Sequence, residues 1–345
     1  MDISDFDYQL PESLIAQEPL AERDASRMLI VDRANKTWRD SHFKELPPQL
    51  AKGDVLVVNN TRVFPARLRG QRVPFGGAVE LLLMREVERN TWETLARPAR
   101  RLKSGTEIGF AGTDLRARVT ACQDNGIRIV KFETTENLDD LIDCIGEPPL
   151  PPYIDRGTHN SPDDRQRYQT IYATERGAIA APTAGLHFTS SILESVRTRG
   201  VQVAEVTLHV GYGTFEPVRV LDISKHQVAA ERFSVSAEAA SVVNRAHSAG
   251  HRIIAVGTTT ARALESASSP KGQVTSQSGV ASLTIIPGYE FRTTDGLLTN
   301  FHLPKSSLLM LVSAFAGREL TLAAYQHAVE SAYRFYSYGD CMLVL

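Results

Sequence analysis

An α/β protein is what this sequence predicts: a layered α/β domain with a mixed sheet, carrying an inserted small β-barrel domain. Three observations lead there. From residue 152 onward, strand-length apolar runs alternate with helical stretches, the pattern of helices layered on a sheet. Between 62 and 133 the chain breaks into short period-two runs separated by Gly, Asn and Asp, none long enough for a helix. One strong apolar run, DVLVV at 54–58, precedes that stretch. A lone strand needs partners, so residues 1–61 are expected to join the later part. The expected domains are therefore 1–61 with 152–345, discontinuous, and 62–151 as the insertion.

Each element follows from its own signals. AVELLLM, TWETLARP, TEIGF, LRARVTA and GIRIVKF read as strands of a small barrel or sandwich. The acidic helix LDDLIDCI stops at Gly146, and the stiff strip EPPLPPYIDR follows. Ser161-Pro162-Asp163-Asp164 has the cap, first-turn proline and acids of a helix start, predicting a helix that runs to Gly177. Further helices are expected over 190–200, SAEAASVVNRAHSAG, TTTARALESA, 305–316 and 319–335. Strands are expected at VQVAEVTLHV, HRIIAVG, LTIIP, LLTNFHL and CMLVL. Glycines close the helices, which predicts left-handed C-caps.

The 345 residues, 42% hydrophobic and 23% charged, are ordinary for a globular protein with an ample core. MDISDFDYQL lacks a basic start and apolar core, so no secretory signal is expected. The longest apolar stretch, at 308–316, is far below the roughly 20 residues that span a bilayer. The three cysteines are widely spaced, with neither a CxxC pair nor zinc spacing. A cytoplasmic location, no membrane and a monomer are the expectations.

The chemistry concentrates in three segments, each placing a histidine at the end of an apolar run. His187 lies in APTAGLHFTSS, small-residue backbone suited to close ligand approach, or a tight turn with a packed histidine. Thr183 belongs to the same stretch. His209 ends a strand and is followed by Gly211-Tyr212-Gly213-Thr214-Phe215; ligands of open α/β sheets collect at such carboxyl ends. His302 lies in LLTNFHLPKSS, where Lys305 and the following serines either receive an anion or serve as stop and cap. Neutral histidine is the usual proton-transfer group near pH 7. No HExxH or clustered Asp/His spacing is present, so no metal is expected.

Asn59-Asn60-Thr61-Arg62 either caps a turn or presents Arg62 to a phosphate or carboxylate. Gly257-Thr258-Thr259-Thr260 resembles a glycine-rich turn at a helix start but lacks the GxxxxGK[ST] spacing of a P-loop. Charge is uneven: residues 62–131 hold 14 Lys/Arg against 7 Asp/Glu, +7, leaving −9 for the rest of a chain at −2. The cluster Arg97, Arg100, Arg101 and Lys103 sits inside that stretch, either a polyanion contact or a solvated basic face. Six acids at 133–147 bring the sum over 62–150 to +1.

Several long strings carry a family resemblance: DFDYQLPESLIAQEPL, ERDASRMLIVDR, VLVVNNTRVFPARLRG, LARPARRLKSG, PLPPYIDR, RYQTIYATERGAIAAPTAGLHFT, HVGYGTFEPV and GYEFRTTDGLLTNFHLPKSSLLMLVSAFAG. Nearly end to end, the chain resembles the S-adenosylmethionine:tRNA ribosyltransferase-isomerases of queuosine biosynthesis. The resemblance implies an α/β domain with an inserted β-barrel. It also implies a reaction. The ribosyl part of S-adenosylmethionine moves onto the 7-aminomethyl-7-deazaguanine base at the tRNA wobble position and rearranges, giving epoxyqueuosine, adenine and methionine. S-adenosylmethionine is then a consumed substrate, with tRNA the partner and no prosthetic group. Where the family pattern has a second histidine, this chain has Ala229; His226 and Glu231 still match.

On that resemblance the expected catalytic residues are His209 as base, with His187 or His302 assisting adenine departure. Glu231 or Asp155 is expected at the ribose hydroxyls, and Arg62 or Lys305 at the methionine carboxylate. Tyr212 or Phe215 would face the sulfonium. Asn59, Asn60, Thr61, Arg156, Thr183, Gly211, Gly213, Thr214, His226, Thr258 and Thr259 complete the expected substrate site. Arg97, Arg100, Arg101 and Lys103 would contact tRNA. Two other readings remain, an inactive tRNA-binding relative and a SAM-dependent tRNA methyltransferase, the latter disfavoured by the absent GxGxxG.

Overall fold

The structure, a computed structural model, describes residues 1–74, 76–156, 163–215 and 217–345. The strands in chain order are β1 Arg27–Asp32, β2 Thr37–His42, β3 Val55–Asn59, β4 Thr61–Val63, β5 Arg67–Val73, β6 Ala78–Glu88, β7 Thr91–Arg97, β8 Glu107–Gly109 and β9 Arg116–Cys122. They continue as β10 Ile127–Glu133, β11 Glu175–Ala178, β12 Gln202–Leu208, β13 Glu231–Val235, β14 Ile253–Val256, β15 Gln277–Ala281, β16 Gly296–Asn300 and β17 Cys341–Val344. Seven helices are described: α1 Leu138–Ile145, α2 Asp164–Arg167, α3 Ser190–Thr198, α4 Ala237–Ser248, α5 Thr258–Ala267, α6 Ser307–Ala316 and α7 Arg318–Glu330. No single one of them is long and apolar enough to cross a membrane.

These elements form the expected mixed α/β architecture with its antiparallel barrel. Contacts divide the described chain into two compact units. One comprises Met1–Arg62, Pro151–Asp155 and Arg167–Leu345. Its nine-stranded sheet runs β15-β13-β12-β3-β14-β16-β17-β1-β2. The strands β12, β3, β14 and β16 are mutually parallel, so their carboxyl ends share one edge. β3, β14, β16 and β17 are buried at every residue, because helices cover both faces and such strands read as continuous apolar runs. α4 to α7 pack on one face and α3 on the other. The outer strands β2 and β15 are mostly exposed, and β2 is polar, which suits sheet edges.

The other unit comprises Val63–Leu150 and Arg156–Gln166. It is a closed barrel, β10-β7-β6-β5-β8-β9, antiparallel throughout. β9 and β10 alternate buried and exposed residues, the inside–outside period of a strand. Buried Arg128 gives its guanidinium to the carbonyls of Leu102 (2.6 Å), Ala99 (2.6 Å), Ile127 (2.7 Å) and Gln123 (3.2 Å). It thereby pins the turn that carries Arg100 and Arg101.

Three local expectations are corrected, and one strand goes unread. The cap read at Ser161-Pro162 lies outside the described residues, and the helix read through to Gly177 is only α2, Asp164–Arg167. Beyond it Tyr168 and Thr170 are buried, with exposed Ile171 between Thr170 and half-buried Tyr172, closer to a period of two than of 3.6. LTIIP at 283–287 is irregular, and the strand ends before it at Ala281. Gly146 is extended at φ −75°, not left-handed. A Cβ there would stand 2.1 Å from the Pro65 carbonyl oxygen, so this glycine is required by close approach. Finally, RMLIVD is a core strand that pairs in parallel with the C-terminal CMLV, a partner more than 300 residues away.

Candidate active site

Where β14 and β16 end, a cleft opens in two lobes within the α/β unit. The first encloses about 540 Å³ and is walled by Tyr153, Tyr168, Tyr336, Phe301, His302 and Thr259, among others. The second, about 530 Å³, is walled by Glu231, Arg262, Ala229, Ser307, Leu311 and again Thr259. Thr214, Thr258, Thr259 and Leu308 line both, so the lobes adjoin.

α5 begins at this cleft. Its N-cap is Gly257 at φ 92°, a conformation that glycine adopts at no steric cost. No side chain caps the helix, in contrast to α4 and α6, whose starts are held by Ser236 (3.0 Å) and Ser306 (3.2 Å). The first amides of α5, at Thr258 and Thr259, therefore receive no side-chain cap.

Among its described residues the first lobe is lined by no charged side chain. Tyr153 and Tyr336 stack edge to face at 3.9 Å between centroids. Burial raises the Tyr153 and Tyr168 hydroxyls far above their ordinary range and the Tyr336 hydroxyl to about 12, so all three stay protonated. In the second lobe Glu231 is the one carboxylate among the described lining residues. Its Oε2 meets Arg262 at 2.6 Å, and its Oε1 accepts the Gly211 amide at 2.7 Å. Arg262 also donates to the carbonyls of Ala229 (2.7 Å), Ala281 (2.6 Å) and Leu283 (2.9 Å). Burial pushes the Glu231 carboxyl upward, while Arg262 and Gly211 pull it back. Beside the pair, His226 Nε2 bonds Ser307 Oγ at 2.7 Å.

The three histidines do not meet. His302 lines the first lobe, fully buried, with Nε2 on Thr299 Oγ1 at 2.9 Å. His187 stands behind the wall. Asn300 donates its amide to the carbonyls of Tyr336 (2.8 Å) and Ser337 (3.3 Å), which leaves Oδ1 to accept from His187 Nε2 at 3.0 Å. His187 is therefore the Nε2–H tautomer, with Ser26 bonded to Nδ1 at 2.9 Å. Through Asn300 it is linked to the 336–337 turn, which forms part of the cleft wall. His209 lies outside the lining, although its neighbour Val210 belongs to it. The His209 ring packs on Gly177, where a Cβ would stand 2.7 Å from Nδ1, and Nδ1 bonds Thr61 Oγ1 at 2.9 Å.

Burial lowers all three histidines: His187 to about 4, His302 to about 3, and half-buried His209 less far. At neutral pH His187 and His302 are therefore uncharged. A folded-state pKa below the unfolded 6.5 gives stability that is complete above pH 6.5 and is lost as pH falls toward 4 and then 3. By linkage each costs roughly 2 kcal/mol at pH 5. Thermal unfolding should accordingly show a loss between pH 8 and pH 5 that shrinks in His187→Gln. An unchanged pH dependence in that variant would contradict the buried neutral assignment.

The remaining expected residues divide clearly. Thr183, Thr214, Thr258, Thr259, Glu231 and Gly213 line the cleft; Gly211 supports it through Glu231. Asn59 is buried and bonded to the backbone of Leu208 and Thr61, a bracket between β3 and β12. Asn60 bonds Glu205 and Thr207 and faces a separate acidic hollow. Tyr212 is half-buried, and the Phe215 side chain is not among those described. Lys305 is held by Asp7 at 2.7 Å, and Arg62 is exposed; neither lines a lobe. The Asp155 amide donates to Gln17. Arg156 belongs to the barrel unit and pairs with Asp164 at 3.0 Å. Arg97, Arg100, Arg101 and Lys103 are all exposed on the barrel. Among the described residues no three His, Cys, Asp or Glu side chains cluster as a metal site would require.

Sequence reasoning missed Tyr153, Tyr168, Tyr336, Asn300 and Arg262 as site residues. Arg262 was detectable as the residue one turn into a helix that starts on glycine. Tyr336 carries φ 73°, which its sequence does not announce.

Comparisons with known proteins identify the family. A family model described as queuosine biosynthesis protein matches residues 3–344. A relative named S-adenosylmethionine:tRNA ribosyltransferase-isomerase, from Desulforamulus reducens, is 48% identical over 345 residues, 100% of each chain. A crystal structure of S-adenosylmethionine tRNA ribosyltransferase from Thermotoga maritima is similar at a TM-score of 0.56 and 37% identity. The match covers 99% of this chain and 100% of that one.

Proposed function

Since the chain belongs to the queuosine biosynthesis family of S-adenosylmethionine:tRNA ribosyltransferase-isomerases, we propose that its two-lobed cleft binds and consumes S-adenosylmethionine. The ribosyl part is transferred to the 7-aminomethyl-7-deazaguanine base at the tRNA wobble position and isomerised to epoxyqueuosine, with adenine and methionine released. The observation that carries this reading is the cleft's division of charge: an uncharged aromatic lobe joined to a lobe with one neutralised ion pair. A sulfonium gains about 1 kcal/mol from aromatic faces and meets no unbalanced cation there.

The substrate supplies its own activation, since the sulfonium acidifies the adjacent 5′ carbon and makes methionine a leaving group. The protein's part is to hold, orient and move protons. The uncapped start of α5 at Thr258 and Thr259 receives the methionine carboxylate, a role for which Lys305 is already committed to Asp7. Glu231 takes ribose hydroxyls. His302, neutral, hydrogen-bonds the adenine without opposing the sulfonium charge. His209 takes the 5′ proton: of the three histidines its basicity is lowered least, and Thr61 fixes Nδ1 so that Nε2 is the working atom. The exposed arginines of the barrel grip RNA phosphates.

Incubating the protein with S-adenosylmethionine and tRNA bearing the precursor base tests the reading. Stoichiometric adenine and methionine are expected. S-adenosylhomocysteine with methylated tRNA would reveal a methyltransferase instead, and bound tRNA with no product an inactive relative.

A further inference from the structure

A second, smaller hollow of about 290 Å³ adjoins the cleft, with Ser337 in the lining of both. Arg23, Arg167, Ser26 and His187 line it, and no carboxylate does among the described residues. Two guanidiniums without a lining carboxylate repel one another. Burial lowers the basicity of Arg23, and the charge of Arg167 lowers it further. Arg167 is anchored through the carbonyls of Ala21 (3.1 Å) and Leu20 (2.5 Å), yet its Nε is buried with no acceptor. Arg23 donates to the Leu186 carbonyl at 3.0 Å. His187 adds no charge of its own. Such a hollow is built for an oxyanion that guanidinium forks can clasp. The methionine end of S-adenosylmethionine fits it poorly, because its ammonium and sulfonium would face two like charges. A phosphodiester brings no cation with it.

We propose that the Arg23–Arg167 hollow is an oxyanion subsite for one phosphodiester of the RNA substrate, beside the nucleotide whose base enters the cleft. The subsite rests on the reading that the cleft receives an RNA base, and it adds a phosphate contact on the α/β unit to those of the barrel.

The test uses the full-length protein and a synthetic anticodon stem-loop carrying the precursor base. In companion loops a neutral methylphosphonate replaces, one at a time, each phosphodiester around that base. With the wild-type protein one replacement should weaken binding about 10-fold. Arg167→Met should lose a similar factor and flatten the salt dependence by about one unit of slope. That same replacement should then cost the variant nothing further. Arg23→Met should repeat the pattern, guarding against a local collapse in Arg167→Met, and calorimetric affinity for S-adenosylmethionine should stay at the wild-type value in both. Wild-type RNA affinity in both variants would overturn the subsite, as would losses that simply add, or a loss confined to S-adenosylmethionine. Normal release of adenine and methionine without the phosphate pattern sinks the subsite alone. The phosphate pattern without product release leaves the subsite standing and removes the catalytic reading.

Discussion

Arg262→Met should destabilise the α/β unit by about 3–5 kcal/mol and abolish tight binding of S-adenosylmethionine. The arginine is 9% exposed and joins Glu231 to the carbonyls of residues 229, 281 and 283, tying β13 to the end of β15. Removing it leaves the Glu231 carboxylate buried without its countercharge, and breaking such a pair from one side is far costlier than removing both charges. Denaturant unfolding therefore has a distinctive expectation. Arg262→Met combined with Glu231→Gln should be less destabilised than Arg262→Met alone, because no lone charge remains. If the two losses add, the pair is not the buried, mutually dependent unit described here.

Loss of His209 should act on rate rather than on stability. His209→Ala is expected to lower turnover by roughly 10²- to 10⁴-fold, the usual worth of a positioned proton acceptor, with affinity for S-adenosylmethionine little changed. Thr61→Val, which frees Nδ1, should lower turnover less and shift the acidic limb of the pH–rate profile. The ring stands outside the cleft lining, next to Val210 within it, and that placement makes the measurement decisive. Near-normal adenine release by His209→Ala would refute the base role and pass it to Glu231, the carboxylate already in the lining.

Most of the scaffold could be read from local pattern. The period-two runs of the barrel and the long apolar strands announce themselves because burial on one face or on both leaves a distinct periodicity. So does the alternation of helix and strand after residue 177. The site was legible only in part. Three histidines ending apolar runs were visible, but His187 closes a 3-10 turn rather than a strand; β3 and β14 separate the strand ends carrying His209 and His302, and no local signal reports strand order. The Glu231–Arg262 pair joins residues 31 apart, and His187 reaches the cleft wall only through Asn300, 113 residues later. Tyr153 and Tyr336 come together through packing between distant segments. The misread helix before Gly177 failed for a physical reason: the acids at 163 and 164 are genuine helix-start chemistry, but Tyr168 and Thr170 are drawn into the core at a spacing a helix does not provide.

The central claim is that the two lobes at the ends of β14 and β16 are where S-adenosylmethionine is held. A crystal structure of the protein with S-adenosylmethionine bound tests it most directly. The adenosyl group is predicted between Tyr336, His302 and Thr259, the carboxylate at the first amides of α5, and the ribose toward Glu231. A ligand lying instead in the acidic hollow beside Asn60 and Glu175, with both lobes empty, would contradict it.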